Sequence, residues 1–408
     1  MRFLHTSDWH LGRALFGKKR YDEFESFLQW LAETIDENNI EALLVAGDVF
    51  DTGLPSNKAQ ELYYKFLFNI SSSSCRHVVI TGGNHDSPSF LNAPKELLKI
   101  LNVHVVGMKT DEPEDEVIIL NDNENTPEAI VLAVPYLRDR DIRTVEPGET
   151  IEDKTRKIIE GIKDHYQEVA QIADNIRKDN PDIPIIGMGH LFTSGARTTD
   201  DDGVRELYVG SLAHIDRDSF PSVIDYMALG HLHVPQKAGN SEKIRYSGSP
   251  LPIGFGEANQ KKSVLMIDFN KNIPNVNEID IPVFHELIRI KGTYEQITEK
   301  IRDLTSSNKE AYVEIEHTGS HIPGKLRVLI DELTEDSALE VLKITDRNTS
   351  NEILKRLDVS ETLEDLDPYD VFNRKLELAG IPEDEKKPLI ESYSEIINSI
   401  EEEDINAE

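Results

Sequence analysis

Residues 42–48 read Ala-Leu-Leu-Val-Ala-Gly-Asp, a continuous apolar run that ends at a glycine and an acidic residue. Five apolar residues in succession predict a strand buried on both faces, as in a parallel sheet covered by helices. Gly47 permits a tight turn after that strand, so Asp48 is expected to project into the crevice at the carboxyl edge of the sheet. The stretch therefore indicates an α/β fold with a carboxylate where such folds bind their ligands.

The segments on either side alternate between strand and helix patterns. Residues 21–39 place apolar side chains at helical spacing, and residues 77–80 form another short apolar run. This order predicts a mostly parallel sheet with right-handed crossovers. Residues 111–128 are polar and are expected to form a hairpin or an exposed loop. The expected strands are 2–7, 42–46, 77–80, 103–106, 130–134, 183–186, 226–229 and 264–269, and the expected helices are 21–39, 55–67, 94–101 and 151–178.

Five polar clusters follow five of these predicted strands. The clusters are Asp8-Trp9-His10, Gly47-Asp48, Gly82-Gly83-Asn84-His85-Asp86, Gly189-His190 and Gly230-His231-Leu232-His233. Because the carboxyl ends of parallel strands meet at one edge of a sheet, the clusters are expected to converge. Their carboxylate, amide and imidazole groups, with no thiol among them, predict a divalent-metal site.

Two divalent ions about 3.5–4 Å apart need a bridging carboxylate and further ligands on each side. Asp48 is the natural bridge because it stands at a strand end. Asp8 and His10 are two residues apart, so in an extended chain they would point the same way and could chelate one ion. His231 and His233 have the same spacing, and one of them could serve each ion of a bridged pair.

Asn84 offers a neutral carbonyl oxygen, and His190 offers another imidazole. Each cluster alone is weak evidence, but five clusters in order at strand ends favour a functional site.

Trp9 is expected to pack beneath that site rather than stack on a base. The residues after His190 either contact substrate or belong to a solvated loop: Arg197, Arg205 and Tyr208. The remaining histidines are expected to be structural: His5, His77, His104, His165, His214, His285, His317 and His321.

The 408 residues carry a formal net charge of −32. A protein that neutralises phosphates usually has a basic surface, so the charge alone argues against DNA as a ligand. Two divalent cations would add about four positive charges locally, and a partner subunit could supply the rest.

The single cysteine, Cys75, excludes an internal disulfide. No leader and no apolar stretch approaching ~18 residues is visible, so the cytoplasm is the expected location.

The pattern of elements divides the chain into three expected domains. Residues 1–281 would form the core, residues 282–345 a small α+β domain, and residues 346–408 a linker with a helical pair. The small domain is expected to contain strands 287–290, 311–315 and 326–330 and a helix at 294–304. The tail helices, 371–379 and 388–400, have apolar faces too small to fold alone, so they need something to pack on.

The five clusters match, in order, the motifs of the calcineurin-like metallophosphoesterase superfamily, which the chain closely resembles. Four longer stretches resemble its bacterial DNA-nuclease subunits, namely residues 5–12, 47–53, 228–233 and 246–250. The resemblance implies an α/β sandwich of mixed β-sheets flanked by helices, a small α+β domain that caps DNA, and a C-terminal helical pair.

The resemblance also implies a ligand set. One metal would bind Asp8, His10, Asp48 and His233, and the other would bind Asp48, Asn84, His190 and His231. His85 would act as a general acid at the leaving oxygen or stabilise charge there, with Asp86 a candidate to orient it. Manganese is the usual activator of the family, although zinc or iron suits the same donors. Archaeal and eukaryotic relatives carry a histidine where this chain has Asp51, so the role of that histidine cannot be transferred.

The activity implied by the resemblance is that of a metal-dependent nuclease for double-strand ends and for single strands or hairpins. The implied partner is an ABC-type ATPase with a long coiled coil, in a heterotetramer built around a homodimer of this subunit. The alternative is a phosphoesterase for small phosphodiesters or phosphoproteins. Protein phosphatases of the superfamily would show an Arg-Gly pair where Thr52-Gly53 stands. A noncatalytic scaffold is disfavoured because all the ligand positions are intact.

Overall fold

The structure, a computed structural model, describes residues 1–144, 148–193, 215–319 and 326–346 and six later positions. Those positions are Phe372, Leu376, Lys386, Leu389, Ile390 and Tyr393. Apart from them, the predicted tail helices at 371–379 and 388–400 lie outside the described residues. The chain separates into two compact units, Met1–Ile288 with Glu310–Tyr312, and Arg289–Lys309 with Val313–Glu408.

The strands of the described residues follow in chain order. They are β1 (Arg2–Thr6), β2 (Ala14–Leu15), β3 (Lys18–Lys19), β4 (Ala42–Ala46), β5 (His77–Thr81), β6 (Val103–Val106), β7 (Val117–Asn121), β8 (Pro127–Ala133), β9 (Ile185–His190), β10 (Tyr226–Gly230), β11 (Gln236–Lys237), β12 (Ile244–Tyr246), β13 (Ser263–Asn270), β14 (Ile273–Asp280), β15 (Glu286–Gly292), β16 (Ala311–His317) and β17 (Leu339–Asp346).

The helices alternate with these strands in the first half of the chain, as the sequence predicts. They are α1 (Tyr21–Glu37), α2 (Asn57–Ile70), α3 (Pro88–Asn92), α4 (Lys95–Lys99), α5 (Asp139–Ile142), α6 (Ile151–Arg177), α7 (Tyr294–Ser306) and α8 (Leu326–Thr334). The helix expected at 94–101 is the short α4, which begins directly after Pro94, and a further short helix, α3, precedes it. Within the described residues, no helix combines the length and the apolar character that crossing a membrane requires.

Two six-stranded sheets form the framework of the first unit. Their strand orders are β14-β13-β1-β4-β5-β6 and β11-β12-β10-β9-β8-β7. In the first sheet β1, β4, β5 and β6 are parallel, and β13 joins β1 as an antiparallel neighbour. In the second, β8, β9, β10 and β12 are parallel, and β7 and β8 form the hairpin expected within 111–128. Both sheets are therefore mixed: the first has an antiparallel edge at β13 and β14 and a parallel edge at β6, and the second has an antiparallel strand at each edge.

The two sheets face each other, and helices cover their outer faces. Successive side chains of β4 alternate between the two layers: Leu43 packs beneath α1 and α2, whereas Leu44 packs against the second sheet. The inner layer is fully apolar at its centre, where Val79 and Ile186 are 0% exposed. On the far side, Tyr166 of α6 packs on the second sheet. Burial on both faces explains why the central strands appear in the sequence as unbroken apolar runs.

The second unit contains a sheet in the order β15-β16-β17 together with α7 and α8. The helix α7 begins at a capping box, in which Thr293 accepts from the Gln296 backbone and Gln296 accepts from the Thr293 backbone. Its buried face includes Ile297 and Ile301.

One expectation for this unit was wrong. Residues 326–330 were expected to form a strand, but Leu326–Thr334 is the helix α8. Leu326 and Ile330 are its buried residues, and Val328 between them is 56% exposed. The two buried positions are four residues apart, which fits the helical period of 3.6, whereas a strand would bury alternate residues.

Trp9 packs beneath the crevice, as expected, and is 0% exposed. Its ring meets Phe27 of α1 and Phe66 of α2 edge-on, with centroids 6.1 and 5.4 Å away. Its indole Nε1 donates to Thr6 Oγ1 at 3.0 Å. The side chain between the first two polar residues of the site is thus a packing anchor.

Trp9→Ala is expected to lower the free energy of unfolding by about 3–5 kcal/mol, because it leaves a large cavity and an unpaired hydroxyl. Urea unfolding followed by circular dichroism measures this loss. Trp30→Ala is the matched control, since Trp30 is only partly buried. Equal losses in the two variants would contradict the role assigned to Trp9.

Candidate metal centre

The polar clusters meet at the carboxyl ends of the parallel strands of both sheets. Asp8 and His10 follow β1, Asp48 follows β4, and Asn84 with His85 follows β5. From the second sheet, His190 is the last residue of β9, and His231 with His233 follows β10. The sequence-based expectation that these residues converge is met, although the ligands come from two sheets rather than one.

The backbone at the site is unusual, because four of these residues have positive φ angles. The values are 52° at Asp8, 46° at His10, 50° at Asp48 and 93° at His231. Asp8 and His10 are therefore not in the extended conformation assumed from their spacing. Non-glycine residues rarely adopt this region, and each such residue costs about 1–3 kcal/mol unless the surroundings fix it. Left-handed turns, rather than strand geometry, aim these side chains into the crevice.

A first group of donors is formed by Asp8, His10 and His233, whose ligand atoms lie within 4.8 Å of one another. His10 Nε2 and His233 Nε2 face each other at 3.2 Å. Asp48 Oδ2 is 3.6 Å from His10 Nε2. All four side chains are buried, with at most 3% exposed. Imidazole nitrogens and carboxylate oxygens packed at this density fit a divalent cation.

A second group lies on the other side of Asp48. His190 Nε2 is 3.2 Å from Asp48 Oδ2 and 2.9 Å from Asn84 Oδ1. His231 Nδ1 is 3.1 Å from the same Asn84 oxygen. Because Asp48 Oδ2 is close to a histidine of each group, its carboxylate stands between two sets of donors.

Three histidines of the site have an oxygen atom next to the ring nitrogen that faces away from the donor groups. His190 Nδ1 pairs with the Ala46 carbonyl at 3.0 Å. His10 Nδ1 lies 3.4 Å from Asp51 Oδ1, and His233 Nδ1 lies 3.6 Å from Glu257 Oε1. A proton on each of these Nδ1 atoms leaves the Nε2 lone pair directed into the site, as metal-binding histidines require.

Sequence reasoning did not find Glu257. This residue is 0% exposed and forms an ion pair with Lys262 Nζ at 2.5 Å. It lies 24 residues beyond His233 and belongs to no polar cluster. A buried acidic residue in an irregular segment gives no local signal of which histidine it will meet.

Two glycines allow the close approach of the backbone around Asp48. Gly47 has a φ of 84°, and a Cβ there would collide with the His190 ring. A Cβ on Gly83 would collide with the Asp48 carboxylate and with the Asp48 backbone nitrogen. Glycine at both positions is therefore a steric requirement of the site.

The buried charges shift one another's protonation. Burial opposes ionisation of Asp48, but the nearby His190 and His10 outweigh it and hold the pKa of Asp48 well below its usual range. Burial also opposes the charged form of His190, yet Asp48 raises the pKa of His190 to about 9. Burial, followed by the neighbouring His190, lowers the pKa of His231 to about 3. A divalent cation would compete with the proton that His190 and Asp48 stabilise between them.

His85 stands at the edge of the donor groups and is only partly buried. Its backbone N–H donates to Asp48 Oδ1 at 2.8 Å, and its Nδ1 pairs with the Asp51 carbonyl at 2.9 Å. The His85 and His10 rings meet edge-on with centroids 4.9 Å apart. The His85 Nε2 is therefore the nitrogen left for a substrate.

Asp86 has a different place from the one expected. Both its carboxylate oxygens accept backbone N–H groups at 2.9–3.1 Å, from Val49, Phe50 and Gly83. Burial, together with Asp48, raises the pKa of Asp86 to about 7. Asp86 thus ties the loop after β5 to the loop after β4, and the hydrogen bond that orients the His85 ring comes from Asp51 instead. Three further candidates lie outside the described residues: Arg197, Arg205 and Tyr208.

Comparison with known proteins places this geometry in a family. A model of the calcineurin-like phosphoesterases matches residues 1–235. SbcD, a subunit of the nuclease SbcCD, from Escherichia coli K12 is 36% identical over 403 residues, which cover 98% of this chain and 98% of that protein. The chain belongs to the SbcD family of calcineurin-like phosphoesterases.

Other SbcD proteins are similar over the core. Those of Rhodobacter capsulatus and Bacillus subtilis are 35% and 33% identical over 274 and 272 residues, in each case 66% of both chains. A second family model, described as the type 5 capsule protein repressor C-terminal domain, matches residues 283–379. Family membership makes the chain a metal-dependent phosphodiesterase, and its histidine and aspartate clusters are suited to divalent metal ions. The predicted family and the predicted sandwich of mixed sheets are confirmed.

Gly83→Ala is expected to abolish tight metal binding, because the added Cβ overlaps the Asp48 carboxylate. Titration with Mn²⁺ by calorimetry measures the loss. Gly53→Ala is the matched control, since the nearest atom to its added Cβ is the Ser87 Cβ at 3.7 Å. Normal Mn²⁺ binding by a folded Gly83→Ala variant would contradict the packing described for Asp48.

Proposed function

We propose that this chain is the nuclease subunit of an SbcCD-type DNA repair complex. It would hydrolyse DNA phosphodiesters as a double-strand exonuclease and as an endonuclease on single strands and hairpins. The observation that supports this most directly is the packing of two donor groups around Asp48, beside a partly exposed histidine. The relatives that match over the length of the chain are nuclease subunits by name.

The proposed ligand set follows the two donor groups. One metal ion binds Asp8, His10, Asp48 and His233, and the second shares Asp48 and binds Asn84, His190 and His231. Support comes from the 3.2 Å approach of His10 and His233 and from the two histidine nitrogens around the Asn84 oxygen. Manganese is the proposed native ion, because carboxylate, amide and imidazole donors without thiolates suit it.

The chemistry divides between the cations and the protein. When bound, the two divalent ions supply Lewis-acid activation of the phosphodiester and of the attacking water. The protein holds Asp48 ionised between the two donor groups, because the surrounding imidazoles favour its charge. Ser7 Oγ at 2.5 Å and the His231 backbone N–H at 2.9 Å fix the two oxygens of Asp8. Fixed ligands reduce the reorganisation that a developing charge would otherwise demand.

His85 is the proposed proton donor to the leaving oxygen. Its Nδ1 proton is committed to the Asp51 carbonyl, which leaves Nε2 to carry the transferable proton. The backbone bond from His85 to Asp48 fixes its distance from the bridging carboxylate. Asp86 contributes indirectly, because it holds the loop from which His85 projects.

The remaining parts of the chain have proposed roles in substrate and partner binding. Residues 282–345 are the proposed DNA-capping domain, and residues 346–408 form the proposed linker and docking tail. The partner is an SbcC-like ABC ATPase with a coiled coil. In the tail, the Phe372 and Tyr393 rings stack with centroids 4.1 Å apart, while Leu389 is 42% exposed. An exposed leucine in this segment is suited to docking on a partner.

A homodimer of this subunit is also proposed, as part of a heterotetramer. Leu97, Ile100 and Leu101, in and just after α4, are 67%, 77% and 40% exposed. Their spacing of three and four residues places them on one side of a helix. Three adjacent exposed apolar side chains favour a protein interface.

The acidic charge remains compatible with a DNA substrate under this proposal. Two cations would add about four positive charges at the scissile phosphate, and the partner would supply further basic surface.

The proposed location is the cytoplasm, at the nucleoid. A phosphoesterase for small phosphodiesters or phosphoproteins is the alternative, since the same metal chemistry would serve it.

His85→Ala is expected to keep Mn²⁺ binding and to reduce cleavage of linear duplex DNA by about 10²–10⁴-fold, because it removes the proton donor alone. The assay uses the chain with its ATPase partner in Mn²⁺. His104→Ala on β6, away from the site, is the control. Cleavage at the wild-type rate would exclude the leaving-group role.

Deletion of residues 366–408 is expected to abolish complex formation with the ATPase while leaving hydrolysis of bis(p-nitrophenyl) phosphate intact. Size-exclusion chromatography measures the first property and absorbance the second. Leu389→Asp is a milder variant that places a charge on the exposed tail surface. Co-elution of the shortened chain with the ATPase would argue against a docking tail.

A further inference from the structure

Asp51 touches two groups of the site through different atoms. Its side-chain Oδ1 lies 3.4 Å from His10 Nδ1, and its main-chain carbonyl pairs with His85 Nδ1 at 2.9 Å. It is not one of the proposed ligands. It lies three residues after Asp48, in the loop where a parallel bridge pairs Leu11 with Phe50.

The contact with His10 determines which nitrogen of that ring faces the metal site. His10 is 1% exposed, and its Nε2 points toward His233 and Asp48. Its Nδ1 is buried and makes no hydrogen bond of good geometry. The acceptor that faces this nitrogen is the Asp51 carboxylate, at 3.4 Å. A proton held on Nδ1 leaves the Nε2 lone pair free for a cation.

The Asp51 carboxylate is itself held in place. Arg13 Nη1 donates to Asp51 Oδ1 at 2.8 Å, and both side chains are largely covered, with 25% and 22% exposed. The guanidinium of Arg13 therefore holds the Asp51 carboxylate in the position from which it faces His10 Nδ1.

We propose that Asp51 is a positioning residue with two roles, one in metal binding and one in proton transfer to the leaving group. Its side chain, clamped by Arg13, sets the affinity of the first metal position through His10. Its carbonyl sets the direction of His85. Since only the first contact uses the side chain, substitution of Asp51 separates the two roles. This inference rests on the ligand set and the His85 role given under the proposed function.

Asp51→Asn is the test, because it keeps the size of the side chain and the main-chain carbonyl. The amide oxygen can still accept from Arg13 and face His10 Nδ1, but it carries no charge, so it holds a proton on that nitrogen less firmly than the carboxylate does. Binding of one of two Mn²⁺ ions is expected to weaken by about 10–100-fold, as measured by electron paramagnetic resonance of free Mn²⁺. The Mn²⁺ concentration that gives half-maximal turnover of bis(p-nitrophenyl) phosphate is expected to rise by the same factor.

His85→Ala should give the opposite pattern, with Mn²⁺ affinity kept and cleavage of DNA in the presence of the partner lost, because only the DNA leaving oxygen needs the proton. Asp51→Glu returns a carboxylate and is expected to recover part of the affinity that Asp51→Asn loses. Asp22→Asn, on the exposed side of α1, controls for the change in charge. Circular dichroism establishes that each variant is folded.

Unchanged Mn²⁺ affinity in folded Asp51→Asn would overturn the proposal, and so would equal losses in Asp51→Asn and Asp51→Glu. The Mn²⁺ measurement needs no DNA. If the wild-type chain bound Mn²⁺ but failed to cut DNA with its partner, the nuclease proposal would fail while the role of Asp51 at His10 would still be decided.

Discussion

The carboxylate of Asp48 is 1% exposed and lies between two sets of buried imidazoles. A charge so far from water would be very costly if it stood alone, since burial favours the neutral acid. The surrounding histidines reverse that preference. They can do so only because glycine at 47 and at 83 lets the backbone approach Asp48 closely. The left-handed turns at Asp8, His10 and Asp48 then serve one purpose, which is to keep this charge surrounded.

Much of this arrangement can be predicted from sequence. Apolar runs such as residues 42–46 and 77–80 give strands, because burial on both faces leaves little room for polar residues. Polar clusters that directly follow those runs are carried to one edge by the topology of parallel sheets. The position of that edge depends on the backbone alone. The location of residues at the edge can therefore be predicted without knowing how the side chains pack.

What the sequence could not give depends on packing between distant segments. Glu257 meets His233 through an irregular loop, and Asp86 binds backbone N–H groups that any sequence would offer. The helix Leu326–Thr334 resembles a strand in its first five residues, which are too few to separate a period of two from one of 3.6. The conformation at Asp8 and His10 is hidden for a related reason, since residue spacing does not show a change in the sign of φ.

Each of the two sheets contributes side chains to the crevice. Asp48 and Asn84 extend from the first sheet, whereas His190 and His231 extend from the second. A cation bound by such a mixed set would act as a cross-link between the two layers of the sandwich. Any ligand that binds only the folded state stabilises it in proportion to RT ln(1 + [L]/Kd). The supply of metal in the cell would then govern how long the folded chain survives, as well as how fast it works.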